Sequence, residues 1–138
     1  MHDTAQRCDF ALPAEDIEYL AARGLKWETV RDGKAQWLFV HEFPIPPGYN
    51  VSQATAGVRI APGYPDVQID MVYFRPALSL PRGIPIGALS KTVIIGTEFQ
   101  QWSRHRTAEN PWRPGVDNLH THLSLVEEWL WREVNRDR

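Results

Sequence analysis

The sequence predicts an α+β domain: a helix, an antiparallel meander of four strands, an irregular segment and a closing helix. Three patterns carry that expectation. Apolar residues recur at spacings of three and four near the C-terminus, short runs in the middle of the chain alternate apolar and polar side chains, and Gly and Pro punctuate those runs.

Leu12–Arg23 reads as the first helix. Pro13 suits a first turn, where a missing N–H costs nothing. Glu15 and Asp16 suit the positive end of the helix dipole, and Gly24 marks the stop. Ile17 and Leu20 are expected on its buried side. Lys26–Val30 and Gln36–Val40 flank Asp32-Gly33, a dipeptide suited to a tight hairpin. The prolines of Phe43–Asn50 make a rigid loop, expected to offer Tyr49 to a partner. Thr55–Ile60 and Val67–Phe74 alternate on either side of Pro62-Gly63-Tyr64-Pro65 and complete the four strands. A proline-punctuated connection then leads to a short apolar run, Thr92–Ile95, and to a loop over Trp102–Pro114.

The last helix is expected over Asp117–Arg136, capped by Asp117. Val116, Leu119, Leu123, Val126, Leu130 and Val134 form its buried stripe. His122 falls off that stripe and is expected to tolerate truncation. Glu127, Glu128 and Glu133 are expected to face solvent. Residues 1–10 read as a short polar tail ahead of one domain spanning 11–138.

Composition narrows the function. A chain of 138 residues with 43% hydrophobic content sustains one core, and a formal charge of −2 supplies no basic field for nucleic acid. The one cysteine, Cys8, excludes a disulfide framework and any zinc site built on several thiolates. No apolar run approaches the ~20 residues that span a bilayer, and the polar start lacks a leader, so a membrane is not expected and the cytoplasm is the expected compartment.

Chemistry concentrates in Gln101-Trp102-Ser103-Arg104-His105, the following Trp112-Arg113-Pro114, and His120 and His122 on the last helix. A serine hydroxyl is a weak nucleophile that needs a neighbouring base, and His105 is able to supply one. Residues two apart on an extended segment share a face, so Ser103 and His105 are expected to point the same way. Ser103 bonded only to the local backbone is an equally good reading. His120 is expected to edge the groove where the loop crosses the helix, as an alternative base, an orienting partner for His105, or a plain tether. Arg104 offers a rigid fork for an oxyanion or a carboxylate. His120 and His122 lie about 200° apart around a helix, which leaves no metal site expected there, and no cofactor is expected. Trp129 and Trp131 face different sides of the helix, so at least one is expected outside the core stripe, as an interface anchor or packed on a neighbouring strand.

The order of elements resembles the ubiquitin-conjugating fold. The carrying residues are Tyr64-Pro65 before the strand Val67–Phe74 and Pro76, and Trp112-Arg113-Pro114 before the crossing helix. The run from Trp102-Ser103-Arg104-His105 through Trp112 to Asp117 and His120 is similar to a bacterial branch, the prokaryotic ubiquitin-conjugating-like family E. The resemblance covers about residues 11–136 and departs from the wider family twice: there is no His-Pro-Asn, and no cysteine lies shortly before Trp112. It implies a carrier in a bacterial ubiquitin-like conjugation pathway, with an activating enzyme, a ubiquitin-like modifier and a processing peptidase as partners. Ser103 would hold the modifier as an oxyester, His105 or His120 would take its proton, and Arg104 would steady the oxyanion. The alternative is a catalytically inactive adaptor that binds the modifier or its activating enzyme.

Overall fold

The computed structural model describes residues 6–136. In chain order these form α1 (Ala14–Ala22), β1 (Lys26–Asp32), β2 (Ala35–Pro44), β3 (Gln53–Arg59), β4 (Val72–Arg75), a 3-10 turn (Pro81–Gly83), β5 (Leu89–Ile94), β6 (Thr97–Trp102) and α2 (Leu119–Val134). The class is α+β, but the sheet has six strands where four were expected. Their order is β1-β2-β3-β4-β6-β5, with every neighbouring pair antiparallel. The hairpin of β5 and β6 turns on Ile95 and Gly96, with φ of 46° and 75°. A β-branched residue is a poor advertisement for such a turn. Trp102 therefore ends a strand and does not begin a loop.

The strand expected over Val67–Phe74 pairs only from Val72 onward. Met71 takes a left-handed conformation, φ 61°, which breaks the extended run just before the ladder starts. The preceding residues form an irregular segment of turns.

Strand alternation sends Leu38 and Val40 to one face of the sheet and Trp37 and Phe39 to the other. The first face meets Leu20 of α1 and Leu119, Leu123, Val126 and Leu130 of α2 in the main core. The second buries Trp37, Phe39, Tyr73 and Phe99 against one another, with ring centroids 4.9 Å apart for Trp37 and Tyr73 and 5.3 Å for Phe39 and Phe99. Gly57 pairs with Phe39 across the ladder, and a Cβ on Gly57 would stand 3.1 Å from that ring. The missing side chain gives the phenyl group its place.

In α1 the buried residues are Asp16 and Leu20, while Ile17 is exposed, contrary to its expected place. The reason is a polar clamp. The Tyr64 hydroxyl donates to Asp16 Oδ2 at 2.5 Å and accepts from the Leu119 backbone N–H at 2.8 Å, joining both helices through one phenol. Burial pushes the Asp16 carboxyl above its usual range, against the Tyr64 bond that favours its charge.

α2 begins at Leu119, and its cap is Asn118 where Asp117 was expected. The Asn118 side chain accepts from Thr121 N at 3.1 Å while Thr121 Oγ1 accepts from Asn118 N at 3.0 Å, a reciprocal capping box. Val116, ahead of this start, is exposed and not part of the stripe. Two further expectations are reversed: His122 and Glu133 are both buried. At the far end, the Tyr49 hydroxyl donates to Leu130 O at 2.7 Å, and Gly48, φ 110°, leaves room for Val134, whose Cγ2 would lie 2.1 Å from an added Cβ. The proline loop thus braces α2 and spends Tyr49 internally.

The start of the described chain is also engaged. Thr29 N donates to Arg7 O and Asp9 N donates to Thr29 O, each at 3.0 Å, so this segment runs along β1. Residues 1–5 of the expected tail lie outside the described residues.

Candidate functional site

The segment after β6 leaves the sheet beside α2. Trp102 is fully buried, its indole N–H donating to Gln100 Oε1 at 2.9 Å, and it anchors everything that follows. Ser103 N donates to Ala88 O at 3.0 Å, and Arg104 N turns back to Trp102 O at 3.0 Å. A bond across three residues is a γ-turn, so the chain bends at Ser103 and is not extended there. The shared face expected of Ser103 and His105 depended on extension. Ser103 Oγ accepts instead from Gln101 Nε2 at 3.3 Å.

His105 has a different partner. Its Nδ1 lies 2.7 Å from Asp70 Oδ2, and its side chain is 64% exposed. Asp70 precedes the strained Met71, whose carbonyl accepts from His122 Nε2 at 2.8 Å. A carbonyl only accepts, so His122 carries its proton on Nε2. Burial holds His122 down to about pKa 4, with the Met71 bond opposing. Beneath His105, then, lies a polar cluster in the core. Asp70, Arg106 and His122 act electrostatically on one another there, and Arg106 reaches Asp117 at 4.0 Å and lies 4.8 Å over the Trp112 ring. Burial lowers the Arg106 guanidinium from its usual range, opposed by Asp117 and Asp70. Burial likewise opposes the charge of Asp117, yet hydrogen bonds from the Arg113 side chain and backbone hold its carboxyl below the usual range.

Arg104 is engaged on three sides. Its guanidinium lies 4.8 Å over Trp102, donates to Gly87 O at 3.0 Å, and pairs with buried Glu133 at 3.6 Å. It ties the loop to the C-terminal end of α2. Beside it opens a groove lined by His105, Trp129, Trp131, Arg132, Glu133 and Arg136. Trp129 packs edge-on against His122, with ring centroids 5.7 Å apart, and Trp131 is the 60% exposed indole expected on this helix.

His120 is not brought to this cluster. Its ring stacks on Tyr19 of α1 at 4.4 Å, on the other flank of α2. Along the axis it stands ~20 Å from Glu133, where Arg104 docks. The structure therefore gathers Ser103, Arg104 and His105 at one end of α2 and leaves His120 at the other. Among the described residues, no group of three His, Cys, Asp or Glu side chains is placed to share a metal ion, and no helix is long and apolar enough to cross a membrane.

Asp70, Arg106 and Glu133 were invisible as site residues in the sequence, and His122, singled out as a polar helix residue, was not expected in the core. Asp70 occupies a polar position of an alternating run, which reads as an ordinary solvent-facing residue. Glu133 sits among other acidic helix residues.

The family model described as prokaryotic E2 family E matches residues 12–133, and the chain belongs to that family. No curated protein and no solved structure matches it significantly.

Proposed function

From membership of prokaryotic E2 family E, we propose that this protein is a conjugating component of a ubiquitin-like pathway, with its reactive centre at the groove beside His105. Its partners are an activating enzyme and a ubiquitin-like modifier, with a processing peptidase in the same pathway. The observation that carries the chemical part is the Asp70–His105 pair at 2.7 Å, exposed at the mouth of a groove against the crossing helix. An imidazole whose Nδ1 is held by a carboxylate is suited to act as a general base through its other nitrogen.

In this reading Ser103 is the acceptor. Its Oγ forms a bond to the modifier's activated C-terminal carbonyl carbon while the bond to the leaving group breaks. His105 takes the hydroxyl proton and returns it to the departing group. A target amine then attacks the oxyester, the C–N bond replaces the C–O bond, and Ser103 recovers its proton. A turn of the 103–105 loop must first release Ser103 Oγ from Gln101. Arg104, committed to Trp102, Gly87 and Glu133, braces the loop, and backbone amides are left to hold the oxyanion. His120 has no part in the step.

The test is reconstitution with the activating enzyme, modifier and ATP, read by mass spectrometry. An added modifier mass that resists thiol reductant and yields to hydroxylamine, and that Ser103→Ala abolishes, is the expected result. Attachment to Ser103→Ala at the wild-type rate overturns it. The alternative is an adaptor without chemistry, favoured by the Ser103–Gln101 bond and by the exposed Trp131. There, Ser103→Ala changes nothing and Trp131→Ala weakens binding to the modifier or the activating enzyme.

A further inference from the structure

We propose that Asp70 is the positioning residue of this site: its carboxylate holds His105 in the tautomer protonated on Nδ1 and so presents Nε2 to the groove as the basic nitrogen. The catalytic consequence rests on the reading of His105 as the base, while the tautomer assignment stands without it.

The argument begins with what a carboxylate is able to do. An ionised carboxylate only accepts hydrogen bonds, so the 2.7 Å contact requires His105 Nδ1 to donate. In a neutral imidazole the lone pair then belongs to Nε2. Histidine side chains free in water favour the opposite tautomer, with the proton on Nε2, so the preference at this position must be imposed. Among the described residues, Asp70 is the one polar contact of the His105 ring. The ring is mostly exposed, and packing does little to orient it.

Asp70, by contrast, is fixed from below. The next residue, Met71, is held at φ 61° with its carbonyl accepting from the buried His122 ring at 2.8 Å. Val72 then enters the ladder opposite Trp102, the residue just before the Ser103 bend. Asp70, two residues before β4, and His105, three residues after β6, therefore flank neighbouring strands at the same end of the sheet. Left-handed backbone at a bulky residue costs of order 1–3 kcal/mol and persists where the surroundings over-determine it. Here the surroundings are the β4–β6 ladder and a histidine of the crossing helix. The ladder and the His122 bond offset that cost, and the segment they fix is the one that carries Asp70 to His105.

The experiment is 15N NMR of the imidazole nitrogens of the full chain at about pH 8, above the ordinary histidine range, with His105 assigned by its disappearance in His105→Gln. The wild-type spectrum should show His105 protonated on Nδ1, and Asp70→Ala should move it toward the Nε2-protonated form. A wild-type signal of the Nε2-protonated form overturns the proposal, as does an unchanged tautomer in folded Asp70→Ala. Should Asp70→Ala fail to fold, the wild-type spectrum alone decides. In the reconstituted reaction, Asp70→Ala should slow modifier transfer by roughly 100-fold, with little further loss when His105→Gln is added. A shifted tautomer with unchanged transfer supports the positioning and overturns His105 as the base, which separates the failure of one reading from that of the other.

Discussion

His122 makes folding sensitive to acid. Its folded pKa of about 4 lies below the ordinary value near 6.5, because a charged ring would be stranded in the core. Above pH 6.5 both folded and unfolded chains hold it neutral, and its contribution is complete. As pH falls from 6.5 toward 4 only the unfolded chain gains the proton, so stability drops, by about 3 kcal/mol once the folded pKa is reached. His122→Gln keeps a donor for the Met71 carbonyl and removes the titration. Urea denaturation at pH 7 and pH 4.5 should therefore show the wild type losing markedly more stability than His122→Gln over that interval. Equal losses would mean that the ring is not held neutral. No pattern in the sequence announced its burial: its position off the stripe of leucines marked it as peripheral, and the contact with Met71, 51 residues away, draws it inward. The pairing of Asp70 with His105 was equally hidden. His105 was legible as a loop histidine near a serine, but its carboxylate partner lies 35 residues earlier, in the irregular segment before β4.

At the scale of elements, α2 was legible because helical spacing is a local property, and Leu119, Leu123, Val126 and Leu130 are all fully buried. Its start was misjudged by two residues because Asp117 and Asn118 are both good caps. The choice between them is made by Arg113 and Arg106, which draw the Asp117 carboxylate away from the helix N-terminus. Asn118→Ala should accordingly cost about 1 kcal/mol in chemical denaturation. The helix also carries a sharper comparison. Leu123→Ala should cost on the order of 2–5 kcal/mol, and His122→Ala should cost a similar amount, since it opens a cavity and leaves the Met71 carbonyl without its donor. A near-neutral His122→Ala would restore the peripheral place that the spacing suggested. The β5–β6 hairpin was illegible for the opposite reason. Its turn uses Ile95 at positive φ, stabilised by the backbone N–H of Ile95 donating to Asp32 Oδ2 at 2.8 Å from the β1–β2 turn, a long-range bond that no local rule anticipates.

For the whole molecule, an open antiparallel sheet leaves two edges, and the two are treated differently. β5 is one edge, and exposed Val93 and Lys91 lie along it. β1 is the other, and Arg7–Asp9 lie against it through the paired bonds at Thr29, whose hydroxyl also donates to Phe10 O at 2.7 Å. Phe10 packs on the main core, and Arg31 N donates to Asp9 Oδ2 at 2.8 Å. Residues 7–10 thus belong physically to the sheet, although their polarity makes them look like a tail and suggests that the first ten residues are dispensable. Deleting residues 1–10 removes a half-buried aromatic and re-exposes the backbone of a strand edge, which should lower stability by roughly 2–3 kcal/mol and favour edge-to-edge association. Deleting residues 1–6 keeps those bonds and serves as the control. Urea denaturation should separate the two truncations, and sedimentation at increasing concentration should show self-association only in the longer deletion. If both truncations match the intact chain in midpoint and mass, the pairing at Thr29 contributes nothing and the domain begins at residue 11.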